Sequence, residues 1–102
     1  MAVTTVKLLI NGEWVESSAN QWHEVINPAT QEVLARVPFA THDELNAAVA
    51  AAKAAFKTWR LTPIGARARI FLKLQQLIRE NMADLAATLT SEQGKTLADA
   101  EG

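Results

Sequence analysis

The sequence contains no cysteine. That excludes disulfides, thiolate metal sites and a cysteine nucleophile from this stretch together, and it leaves cysteine usage silent on redox compartment. The opening, Met1 to Ile10, has no basic run followed by a long apolar core, so no secretory signal is read there. No apolar run approaches the ~20 residues that a bilayer-spanning helix needs. Net charge is also nearly absent, at −1 over 102 residues, so nothing global draws the chain towards nucleic acid or an acidic membrane. No internal repeat and no low-complexity tract is present. Together these absences give a soluble cytoplasmic protein as the expectation.

What is present is ordinary globular material, 49% hydrophobic and 21% charged. The length allows one small domain. A domain of this size buries only about 60–65% of its unfolded surface, so its stability margin is thin.

Two halves differ in periodicity. Residues 1–40 read as a strand arm and residues 41–102 as a helical part. Lys7–Ile10 and Glu13–Glu16 flank Asn11-Gly12, a strong short hairpin signal because both central residues of a type I′ turn need positive φ. Ser17–Gln21 is a polar loop. Trp22–Ile26 predicts a third strand, ended by Asn27-Pro28. Glu32–Val37 predicts a fourth, which Pro38 closes.

Thr41-His42-Asp43-Glu44 then reads as a capping box, in which the Thr41 hydroxyl accepts from the Glu44 amide while Glu44 reaches back. Behind it Leu45, Ala48, Val49, Ala52, Ala55, Phe56 and Trp59 share one helical face, predicting a helix over 42–59. Thr62 as N-cap and Pro63 at the first helical position predict a second helix. Its apolar stripe is Ile70, Phe71, Leu74, Leu77 and Ile78. The phase changes at Asn81, which can cap a third helix carrying Met82, Leu85, Ala86 and Leu89 and ended by Gly94. Thr96 with Asp99 resembles a further helix start. A capped helix with barely a turn of sequence reads as a truncated element, since short helices are marginal alone. The chain is therefore expected to be a piece of something longer.

Candidate chemistry is sparse. Gly94-Lys95-Thr96 has the tail of a phosphate-binding P-loop, but the required earlier glycine falls on Leu89, and a helix stands where a strand is needed. Termination of a helix explains Gly94 better. His42 and Glu44 have deaminase-like spacing, yet the two cysteines of such a zinc site do not exist. His23 and His42 are expected to be solvated or locally hydrogen-bonded. Arg60, Arg67, Arg69, Lys73 and Arg79 could form a basic patch, but nearby acids offset them, and such runs are usually a solvated helix face. Asp99 and Glu101 stand two apart and point different ways on a helix, so with Glu92 they make no acid–base pair. Trp14, Trp22 and Trp59 are expected as buried or half-buried anchors. No catalytic, cofactor-binding or metal-ligating residue is expected in this stretch.

The words of the sequence carry more than its patterns. Leu9-Ile10-Asn11-Gly12-Glu13-Trp14-Val15 followed by Val25-Ile26-Asn27-Pro28-Ala29-Thr30-Gln31-Glu32-Val33 resembles the opening of the aldehyde dehydrogenase superfamily. The helix through Ala54-Ala55-Phe56 to Trp59, the next through Arg67 and Leu77, and Thr90 to Ala100 with its Glu92-Gln93-Gly94-Lys95 segment follow in that family's order. Gln75 to Asn81 and Glu92 to Gly102 are similar to the methylmalonate-semialdehyde branch. Succinate-semialdehyde and betaine-aldehyde relatives share the Glu-Gln-Gly-Lys theme.

The resemblance implies an α/β fold, of which this chain is the amino-terminal part of a Rossmann-like NAD-binding domain: a β-hairpin arm followed by three to four helices. It implies a CoA-acylating oxidation of methylmalonate or malonate semialdehyde that, with loss of CO2, gives propionyl-CoA or acetyl-CoA, tied to valine and inositol breakdown. NAD would take the hydride, and coenzyme A would take the acyl group from a cysteine thioester. The family's nucleophilic cysteine, its glutamate, its oxyanion asparagine and its glycine-rich cofactor segment have no counterpart among these residues. The implied partners are a small semialdehyde and CoA, with no nucleic acid, no membrane and a homo-oligomer at full length. Outside the family, a stand-alone helical interaction module and a nucleic-acid binder are the alternatives.

Overall fold

The computed structural model describes residues 2–102. In chain order the elements are β1 (Thr4–Thr5), β2 (Leu8–Ile10), β3 (Glu13–Val15), β4 (Trp22–Ile26), β5 (Val33–Pro38), α1 (His42–Trp59), α2 (Ile64–Glu80), α3 (Met82–Gln93) and α4 (Leu97–Glu101). They fall into two units. One holds the five strands and α1; the other holds α2, α3 and α4 with the Asn27–Glu32 turn. The mixed strand-and-helix content is the expected α/β type: a hairpin and short strands, then three long helices and a short fourth.

In the first unit, β2 and β3 pair antiparallel with Leu8 opposite Val15 and Ile10 opposite Glu13. Asn11 (φ 55°) and Gly12 (φ 75°) both take the left-handed conformation that the Asn-Gly signal requires. A separate sheet has the order β1-β5-β4. Its β4 and β5 are antiparallel, with an irregularity at Val25/Ile26. β5 runs one residue later than the sequence predicts, because Pro38 does not close the strand but sits in register with Trp22. β1 is an addition: Thr4 and Thr5 align parallel to Ala35 and Arg36, and the Val6 amide donates to the Arg36 carbonyl at 3.0 Å. Two threonines carry no detectable alternation, so only the long-range pairing reveals them. α1 begins and ends where periodicity and capping put it.

In the second unit, α2 starts at Ile64, with Pro63 at the cap in place of Thr62. Pro63 is extended (φ −56°, ψ 146°), so it lies outside the helix, and no side chain caps this end. Arg67 N–H nevertheless bonds the Pro63 carbonyl at 3.1 Å, which closes the first turn. Asn81 divides α2 from α3, as the phase change predicts. Its side chain looks backwards, donating to the Leu77 carbonyl at 2.8 Å, and supplies no cap to α3. Gly94 ends α3 in the left-handed conformation (φ 74°, ψ 10°), and its N–H returns to the Thr90 carbonyl at 2.9 Å.

The core is almost missing. Among the described residues, Ala86 is the one buried hydrophobic side chain of the usual core types, at 2% exposure. The α2 stripe lies open, with Phe71 63% and Leu74 48% exposed. On α1 the same holds for Leu45, Val49 and Phe56. Fully burying one large aliphatic or aromatic side chain contributes roughly 1.5–3 kcal/mol. Five half-covered stripe residues therefore leave several kcal/mol unrealised, the same order as a domain's whole margin of about 5–15 kcal/mol. α1 owes its form here to its capping box and alanine-rich propensity more than to packing.

Candidate functional site

The densest polar cluster converges on Glu44 in the first unit. The capping box forms: Glu44 N–H donates to Thr41 Oγ1 at 3.2 Å, and Thr41 N–H donates to Glu44 Oε1 at 2.8 Å. The same carboxylate also receives the Ser17 hydroxyl at 2.8 Å on Oε1 and the Ser18 N–H at 3.0 Å on Oε2. Ser17 Oγ in turn accepts from the Ala19 amide at 3.1 Å. One carboxylate thus caps α1 and fastens the loop after β3, across 27 residues of sequence. The local motif reveals the box; nothing local reveals Ser17.

Donation from the Thr41 backbone, then from the Ser17 hydroxyl, holds the Glu44 carboxyl below its ordinary range, against a smaller opposing effect of desolvation. A depressed folded value means that the folded chain binds the proton less readily than the unfolded one. The contribution is therefore complete at neutral pH and is lost in acid, as pH falls from the ordinary carboxylate value through the lowered one. On acid titration the Ser18 amide resonance is expected to move with Glu44 protonation. In Glu44→Gln the same resonance should show no such acid step.

Gly94-Lys95-Thr96 builds no nucleotide cradle. The Gly94 N–H is taken up by the Thr90 carbonyl at 2.9 Å, and a Cβ placed on Gly94 would lie 2.9 Å from Pro28 Cγ. The hydroxyl of Thr96 accepts from Asp99 N–H at 3.2 Å and starts α4 itself. Glu92, Asp99 and Glu101 are exposed. Among the described residues no group of three His, Cys, Asp or Glu is placed to hold a metal ion. His23 and His42 are exposed, and His23 meets Phe39 edge-on with ring centres 6.3 Å apart.

The tryptophans divide. Trp22 is half-buried as expected; its Nε1 donates to the Ala19 carbonyl at 3.2 Å, and the Arg36 guanidinium lies over its ring at 5.7 Å. Trp14 corrects the expectation of an anchor, being 68% exposed, and Trp59 is exposed as well. The reason is the same as for the stripes: the sequence marks a side chain as apolar but not whether its cover is present. Arg69 and Lys73 lie on α2. They border an open, apolar groove of about 510 Å³ with Ile70, Leu74 and Leu77. Among the described residues, the buried Arg67 Nε and Thr90 Oγ1 find no hydrogen-bond partner.

Residues 14–102 match the model of the aldehyde dehydrogenase family. The rat acylating methylmalonate-semialdehyde/malonate-semialdehyde dehydrogenase, named as mitochondrial, is 54% identical over 101 residues, covering 99% of this chain and 19% of that protein. The Arabidopsis thaliana methylmalonate-semialdehyde dehydrogenase, acylating and mitochondrial by name, is 56% identical over 94 residues, covering 92% of this chain and 16% of that protein. A crystal structure named for a methylmalonate-semialdehyde dehydrogenase of Sinorhizobium meliloti 1021 complexed with NAD superposes with a TM-score of 0.94. It is 40% identical and covers 99% of this chain and 21% of that one. The chain thus spans about a fifth or less of the length of these relatives.

The names correct one expectation. A cytoplasmic location was inferred from the lack of a secretory signal, but the curated relatives are named as mitochondrial. A search for a long apolar core tests only secretion, because organelle-targeting segments are amphipathic and arginine-rich without such a core.

Proposed function

Because the chain belongs to the aldehyde dehydrogenase family, we propose that it is the amino-terminal portion of an NAD-dependent, CoA-acylating methylmalonate/malonate-semialdehyde dehydrogenase. The observation that carries this reading is identity of 54–56% over nearly the whole chain to relatives named as acylating semialdehyde dehydrogenases. In this reading residues 1–40 are an arm and residues 41–102 the helical part of a cofactor-binding domain. The substrate is a small semialdehyde, its carboxylate is lost as CO2, coenzyme A accepts the remaining acyl group, and the product is a thioester such as propionyl-CoA or acetyl-CoA. That chemistry suits a step in the breakdown of valine and inositol. The relatives' names support a mitochondrial location, and the complete enzyme is proposed to be a homo-oligomer.

The dinucleotide is proposed to be held by residues outside this chain, since Gly94 is taken up in ending α3 and Thr96 in capping the five-residue α4. No step of the reaction is therefore assigned to residues of this chain. The catalytic groups are proposed to lie in the remaining four-fifths of the parent enzyme, and the chain's part is structural. Assay of the complete enzyme with methylmalonate semialdehyde and NAD is expected to give thioester formation that depends on CoA. Equal NADH formation with and without CoA, yielding the free acid, would exclude the acylating assignment while leaving family membership intact.

A further inference from the structure

We draw no further inference here: the strongest candidate, the open apolar stripe of Ile70, Leu74 and Leu77 along α2 with Arg69 and Lys73 at its border, is an unpartnered helix face, and nothing in the structure shows what covers it.

Discussion

The 102-residue chain by itself is expected to bind ANS strongly and to unfold without a sharp thermal transition. Cooperativity arises when side chains on separate elements bury one another, so that losing one contact loses many. Here the helices are well formed, but their apolar faces are not buried. Ile64, Phe71 and Leu72 stand open, as do Leu45 and Phe56 on α1. Contiguous apolar surface of this kind binds hydrophobic dyes and promotes association. Circular dichroism should therefore report substantial helix while the near-ultraviolet signal of Trp14, Trp22 and Trp59 stays weak, the signature of secondary structure without fixed packing. A steep two-state melt with little ANS fluorescence would mean that the chain completes its own core.

The largest single-residue effect is expected at Gly94. Its φ of 74° costs a residue with a side chain about 1–2 kcal/mol. Any Cβ there also meets Pro28 Cγ at 2.9 Å, a distance at which something must shift. Crowding of a packed contact costs typically 1–3 kcal/mol more. Gly94→Val should therefore destabilise the junction by roughly 2–5 kcal/mol, summing those two costs. The readout is hydrogen exchange of the Gly94 and Asp99 amides, which donate to the Thr90 carbonyl and Thr96 Oγ1. Both should lose protection in the variant. Gly65→Ala is the control: Gly65 is the second residue of α2 with open space around it, so alanine there should leave the junction unchanged and be neutral to mildly stabilising, by less than the ~0.5–1 kcal/mol of a helix interior. If Gly94→Val left the junction amides unchanged, the contact with the Asn27–Glu32 turn would have no weight in holding α3's end.

These two results bear on what can be read from residues alone. At three local determinants the sequence spoke clearly. Asn11-Gly12 forced the hairpin turn, Thr41 and Glu44 set the start of α1, and Gly94 ended α3. Where two elements distant in sequence met, it did not. Thr4-Thr5 joining β5, Ser17 reaching Glu44, and Pro28 filling the space beside Gly94 each depend on tertiary approach. Pro63 shows a third situation. The preference for proline at the first helical position is real, yet one residue of shift moved it to the cap and left the hydroxyl of Thr62 without that role. Helix ends commonly differ by this much.

The sequence marks Trp14 as an anchor by its size and the α2 stripe as core-facing by its helical spacing. The spacing was right, and the cover is absent from these residues. That absence is consistent with the chain's share of its relatives, about a fifth of their length.

The most direct measurement is hydrogen exchange along α2, made on the 102-residue chain and on the longer parent enzyme under the same conditions. If the rest of the parent lies over these faces, amides around Ile70, Leu74 and Leu77 should exchange quickly in the short chain and be protected by orders of magnitude in the long one. Equal protection in both would show that α2 needs no such cover.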